Sequence, residues 1–505
     1  MNRPVKSRID GIGIDFGTTN SVVATAVNMT EKMLTTPLLA DSRPHPSVVW
    51  YRASEGPTVG RRAKEQIHGY SDAPGNLFFS SIKRHLGKER EFSIFGKKHP
   101  ARDIAAEIFR YLKQDAKTRH HVELEHAVVT IPVEFDGRAR RDLRRAANQA
   151  GIHIRTFVHE PFAAIVGYCL SDRQPKSLEA RDSEKILVFD WGGGTLDITV
   201  GEIAGGMITE LATSGTRERS GDHFDEILGN FSRSLFLDRH QLNVEELGLS
   251  PSIRDRMNVE SELRKIDLST AESVYFGLKS FCRVNERSYD LYEQVTRSQF
   301  NSLIESDVKD AIHKVDETLV RAGLNPSDID VALLIGGTSR IPLIRQEMFD
   351  RFGTRMVEVP NADSIIAEGA AIVAALNMHP VLAAPISLEL SDETNHPVFD
   401  SGAIAKPEAC QRQVSLFCTD NRDGMARLIV KEGARRNNQQ YTTKGIVAVP
   451  VNSELPKPYD HERVTARFTI DEDLILRVAG HAATQRRGAE MEVYDLRFAL
   501  KYFAK

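Results

Sequence analysis

Residues 189–197 read FDWGGGTLD. The apolar run from Lys185 delivers Asp190 to the end of a strand, three glycines turn the chain, and Thr195 to Asp197 open a second strand. Glycine is needed where backbone must approach a phosphate with no Cβ in the way. Successive N–H groups in such a turn form a concavity for anions. Threonine hydroxyls can add donors. An aspartate at a strand end can hold Mg²⁺, usually through waters, because Mg²⁺ dehydrates reluctantly.

Two further stretches share this grammar: IDFGTTNS at 14–21, and LLIGGTSRIP at 333–342. The set is neither G-x-x-x-x-G-K-[ST] nor G-x-G-x-x-G, so P-loop and Rossmann folds fit poorly. Because the first two turns both follow an apolar strand ending in aspartate, a duplicated α/β architecture is expected.

Outward from these turns, SVVATAV and HAVVTIP read as strands. Residues 101–118 carry helical apolar spacing at Ile104, Ile108 and Leu112. Helices are expected over Arg138–Ala150, from HEPFAAIVGY onward, and over the small-residue run IIAEGAAIVAALN. Residues 222–325 read mainly helical, with a strand-like insert at SVYFGL. After Asn377 the composition changes. HPVLAAPISLEL carries two prolines and cannot be one regular helix. VTARFTI and LILRV alternate as strands, with DEDL as the turn between them. The expected division is an α/β unit at 9–377, a linker at 378–390, and an antiparallel β domain at 391–505.

Of the 505 residues, 41% are hydrophobic and 27% charged, which suits a globular chain. The net charge of −4 gives no global field toward nucleic acid. Arg138, Arg140, Arg141, Arg144 and Arg145 cluster on one helix, but Asp136 and Asp142 interrupt them and no aromatics lie near. They read as a solvated face. Cys169, Cys282, Cys410 and Cys418 lack metal-ligand spacing and read as reduced thiols, with Cys418 facing a core. His120, His121 and His126 read as loop residues rather than ligands. No apolar run approaches the ~20 residues of a membrane helix, and the N-terminus lacks the features of a secretory signal. The expectation is a cytoplasmic protein with no nucleic-acid or membrane partner.

The three turns resemble those of the actin, sugar-kinase and heat-shock ATPase superfamily. Within it they resemble the seventy-kilodalton heat-shock (DnaK) chaperones, over residues 9–377. NLFFSSIKRHLGKE resembles the segment holding the family's catalytic lysine, which places that role on Lys83. VVTIPVEFDGRARRDLRRAANQAGI with HEPFAAIVGY resembles the connecting segment, and maps interdomain signalling onto Pro132, Arg140 and Glu160. ELRKIDLS resembles the adenosine-binding helix and gives Glu262, Lys265 and Ser269, although Glu262 and Lys265 alone would read as an exposed ion pair. RSGDHFDEIL contributes Gly221 and NADSIIAEGAA contributes Asp363.

The resemblance implies ATP or ADP with Mg²⁺, leaves room for K⁺, and implies a slow basal ATPase. Gly17, Thr18, Thr19, Asn20, Gly192, Gly193, Gly194 and Thr195 would cradle the phosphates. Asp15 and Asp190 would hold Mg²⁺ through water. Lys83, Asp197 and Glu160 would serve hydrolysis and its coupling. Gly336, Gly337, Ser339, Arg340 and Asp363 would border the adenosine. The partners implied are unfolded or extended protein segments, or one dedicated client, together with a nucleotide-exchange factor.

This sequence also departs from the family. HPVLAAP replaces the leucine-rich linker, and His159 and Phe162 flank Glu160-Pro161 where the family usually has asparagine and threonine, which argues against ordinary J-domain stimulation. No helical lid follows the expected sandwich before Lys505. The competing readings are a filament-forming actin-like ATPase, a small-molecule kinase, and a nucleotide-sensing regulator with a slow ATPase and a dedicated partner.

Overall fold

The computed structural model describes residues 8–29, 32–70, 73–171, 178–216, 218–247, 251–284, 286–433, 441–453 and 462–503. Two sheets repeat one plan. In the first, the strand Gly11–Phe16 lies parallel to His126–Ile131, which lies parallel to His153–His159. On its other side Gly11–Phe16 pairs antiparallel with Asn20–Asn28, followed by Met33–Leu38. In the second, Lys185–Trp191 lies parallel to Val331–Ile335 and that to Met356–Glu358, while Leu196–Ala204 and Met207–Thr216 follow antiparallel. The duplication expected from the two aspartate-glycine turns is therefore present strand for strand.

Helices Glu160–Leu170 and Ile365–Leu376 cross within the apolar layer shared by the two sheets. The crossing is tight enough that a Cβ on Gly369 would stand 1.8 Å from the Ala163 carbonyl oxygen. This close approach fits a second helix in which six of the twelve residues are alanine or glycine. The region 222–325 holds helices Gly221–His240, Pro251–Leu268 and Arg297–Ala322. Its strand-like insert is a full hairpin, Ser273–Val284 paired with Arg287–Thr296. RSYDLYEQVT was expected as part of a helical region, but its exposed and buried residues alternate.

The C-terminal region is a sandwich. One sheet runs Asn395–Phe399, Ile386–Glu389, Met425–Glu432, Thr442–Pro450; the other runs Gln411–Phe417, Arg463–Ile470, Leu476–Ala482, Ala489–Val493. Val464, Ala466, Phe468 and Ile470 are all buried, as their alternation requires. Cys418 is buried just beyond the end of its strand.

Segment 378–390 is built into two different sheets. Ile386–Glu389 belongs to the sandwich, while His379–Leu382 pairs with Phe498–Lys501. Phe498–Lys501 in turn pairs with Met207–Thr216, so the last strand of the chain lies inside the second ATPase-like sheet.

The arginine-rich helix Gly137–Gln149 corrects the expectation of a solvated face. Arg140 and Arg144 are buried. Arg140 donates to the carbonyls of Phe135, Asp473, Leu474 and Tyr494. Arg144 binds the Asp473 carboxylate at 2.7 Å and donates to the carbonyls of Ile154 and Glu472. Arg141 pairs with Glu492 at 2.7 Å, and Arg138 lies over the Tyr494 ring. The face is covered by the sandwich's Asp471–Leu474 turn, a contact that helical periodicity alone cannot reveal. Among the described residues no helix is long and apolar enough to cross a membrane.

Candidate nucleotide site

A cleft of about 690 Å³ opens between the two duplicated halves. It is lined by Asp15, Gly17, Thr18, Thr19, Asn20, Lys83, Glu160, Asp190, Gly192, Gly193, Gly194, Thr195, Asp197, Gly336, Gly337 and Asp363. Most come from strand ends and the glycine turns between strands, while Lys83 lies in a 3₁₀ turn and Glu160 begins a helix. The equivalent strands Gly11–Phe16 and Lys185–Trp191 bring Asp15 and Asp190 to the same opening.

The glycine turn is tied down from behind. The Gly192 and Gly193 carbonyls accept from the N–H groups of Gly221 and Asp222, and the Gly194 carbonyl accepts from Arg84 at 2.7 Å. The Thr338 hydroxyl donates to the Gly192 carbonyl, which joins the second turn to the third. Among the described residues, no acceptor takes the N–H groups of Gly193, Gly194 or Thr195. Free donors lining a cleft suit an anion. Gly336 has φ +78°, and a Cβ there would stand 2.5 Å from the Trp191 carbonyl oxygen, so only glycine closes this corner.

Four carboxylates gather around one ammonium. Lys83 is buried and reaches Glu160 at 2.5 Å. Burial opposes its charge, but Glu160, Asp15 and Asp197 outweigh that and hold its pKa above the ordinary lysine value. Burial, with Glu160 nearby, pushes Asp15 up to about 6, although the Thr130 hydroxyl donates to it. Burial and Glu160 also push Asp197 up to about 6, while it accepts from the Thr195 hydroxyl at 2.7 Å. Asp190 rises well above the carboxylate range through burial and then through Asp197, Glu160 and Asp15. An excess of shielded negative charge beside free N–H donors is the donor set that a divalent cation with a phosphate chain would balance. The residues fit Mg²⁺ and a nucleotide.

Other expected contacts lie behind or beside this lining. Lys265 is buried and bonded to Asp225 and the Gly221 carbonyl, and Gly221 opens the helix behind the glycine turn. Glu262 pairs with Lys64 at 2.7 Å, so the ion pair with Lys265 that their spacing suggested does not form. The Ser269 hydroxyl lies 3.5 Å from the Lys265 carbonyl oxygen. Ser339 is buried and donates to Gly336, and Arg340 pairs with Asp363 at 3.1 Å at the cleft rim. Sequence reasoning missed Arg84. Its signal was adjacency: it follows Lys83 in the same short 3₁₀ turn, Ile82–His85.

The Hsp70 protein family model matches residues 11–100 and 90–496. The chain belongs to the Hsp70 family. It is 30% identical over 481 residues to the chaperone protein DnaK of Thermosipho melanesiensis, covering 93% of this chain and 77% of the relative. Its identity to the DnaK of Thermotoga maritima is also 30%, over 484 residues with the same coverage. This Hsp70 chain has the family's architecture, a two-lobed actin-like ATPase joined to a β-sandwich. Membership gives its general activity, that of an ATP-dependent chaperone.

Proposed function

We propose that this chain hydrolyses ATP with Mg²⁺ and uses the nucleotide state to control how its sandwich engages a protein or peptide segment in the cytoplasm. The supporting observation is the convergence of Asp15, Asp190, Asp197, Lys83 and Glu160 on a glycine cradle with free N–H donors. Gly17, Thr18, Thr19 and the Gly192–Thr195 turn bind the phosphates. Asp15 and Asp190 would hold Mg²⁺, which would offset phosphate charge when bound. Lys83 stabilises charge that develops on the transferring phosphoryl group. Asp197, oriented by the Thr195 hydroxyl, positions the attacking water. Phosphoryl transfer relies on positioning and electrostatics, so no strong base is required.

Glu160 binds Lys83 and begins the helix Glu160–Leu170, while His159 before it lies under Arg140 and the sandwich. A change at Lys83 can thus reach the docked sandwich through two adjacent residues. In this proposal the partners are extended protein segments or one dedicated client, with a nucleotide-exchange factor.

The test is Mg²⁺-dependent ATP turnover by the purified chain and its Lys83→Ala variant. The variant should bind ATP but turn it over at least ~10²-fold more slowly, the usual cost of losing one transition-state donor. Unchanged turnover in the variant would sink the assignment.

A further inference from the structure

The chain leaves the sandwich after Val493 and ends in a different sheet. Met207 and Ile208 pair with Lys501 and Leu500 on one side of the final strand. On its other side, His379, Pro380, Val381 and Leu382 pair with Lys501, Leu500, Ala499 and Phe498. Phe498, Ala499 and Leu500 are each no more than 3% exposed. Tyr502 adds a bond from its N–H to the Gly206 carbonyl at 3.1 Å. The lead-in is clamped separately, by Arg497 on Glu432 at 2.8 Å and on the Gly433 carbonyl at 2.6 Å.

This strand is seated between two receptor strands that do not pair with each other across it. Its removal would break no pairing inside the sandwich or among the other strands of the ATPase sheet. Its departure would expose two facing rows of backbone donors and acceptors, one strand apart. Such a gap accepts an extended segment by backbone pairing, with side-chain size at alternate positions giving selectivity. Phe498 and Leu500 fall on one face of the strand and Ala499 on the other, so the gap takes a large–small–large apolar triplet.

We propose that the gap between Met207–Ile208 and His379–Leu382 is a β-strand acceptor site, and that residues 498–501 are its resident intramolecular ligand. The tether gives the arm an effective concentration on the millimolar scale, about enough to exclude weaker free competitors. The far end of the receptor strand, Gly215 and Thr216, lines the nucleotide cleft, so the site and the cleft share one strand.

The probe is a fluorescein-labelled peptide of residues 494–503, YDLRFALKYF. The full chain carrying Leu500→Pro denies the arm a backbone donor and should empty the site. The peptide should bind this variant saturably and at least tenfold more tightly than the unaltered chain. Equal binding to both, or none to a variant that still melts cooperatively, overturns the proposal. Hydrogen exchange on the unaltered chain gives a reading that needs no variant. Amides of residues 498–501, 379 and 381 should exchange together, at least a hundredfold faster than those of 186–190 in the same sheet. Protection of the arm equal to that of 186–190 would show that it opens only on global unfolding, and the proposal would fail.

Discussion

At the scale of single residues, Asp15 and Asp197 make the nucleotide site sensitive to pH. Both sit at about 6, raised by burial first and by Glu160 second. Between the ordinary carboxylate range and pH 6, the nucleotide-free protein holds protons that unfolded chains have lost. These groups therefore stabilise the empty fold at low pH, and that contribution is lost as pH rises through about 6. Binding of Mg²⁺ and nucleotide has the opposite sign, because it needs the ionised carboxylates. Affinity for Mg·ADP should fall as pH drops from 7.5 to 5.5, with proton release detectable by calorimetry in buffers of different ionisation enthalpy. A flat affinity across that range would mean the carboxylates are already ionised. The sequence made Asp15, Asp190 and Lys83 legible because each stands at a fixed place in a glycine or lysine motif. Arg84 escaped because its role depends on where the Gly194 carbonyl falls in space, which the chain order does not reveal.

At the scale of elements, helix Gly137–Gln149 docks the sandwich, and the cost of undoing it can be stated. Arg144 and Asp473 are both largely buried, at 9% and 13% side-chain exposure. Arg144→Ala removes the nearer partner of the buried Asp473 carboxylate and leaves it only Arg141 at 3.9 Å, a loss of up to about 3 kcal/mol. Limited proteolysis should then cut more readily around residues 377–390, and Arg144→Ala with Asp473→Ala should be less damaging than the single change. Equal protease resistance in the single variant would show that this pair does not hold the domains. A second element contact joins the two lobes: Lys64 on helix Arg61–Tyr70 meets Glu262 on Pro251–Leu268. Both side chains are about one-quarter exposed, so the pair is worth ~0.5–1 kcal/mol after screening. Glu262→Gln should speed ADP release about two- to fivefold in stopped flow, and less at high salt. A larger effect, or one insensitive to salt, would require another contact. The arginines were misread from sequence for a plain reason. Helical spacing shows that Arg140, Arg141 and Arg144 share a face, but polarity cannot tell water from an acidic turn more than 300 residues away.

At the scale of the whole molecule, the duplicated sheets were legible because local signals, apolar run, aspartate and glycine turn, occur twice in the same order. The seating of Phe498–Lys501 beside Met207–Thr216 was not, since pairing across nearly 300 residues leaves no local pattern. That long-range stitching governs how the protein should melt. One contiguous apolar cluster includes Ile14, Phe109 and Ile131 of the first lobe together with Val464, Phe468 and Val478 of the sandwich. The sandwich therefore does not complete its core alone. With the arginine clamp added, first lobe and sandwich should unfold in one cooperative transition, with calorimetric and van't Hoff enthalpies in agreement for that unit. Nucleotide binds only the folded cleft, so saturating Mg·ADP should raise the transition for both together, by the ~2.7 kcal/mol that a hundredfold excess over Kd supplies. Coupling is reciprocal, so a peptide that loosens the sandwich should weaken nucleotide binding by the same factor. Calorimetry combined with exchange at sandwich amides such as Phe468 tests this directly. Two separate transitions, with the sandwich's unmoved by nucleotide, would mean that the shared cluster is a contact between independent domains.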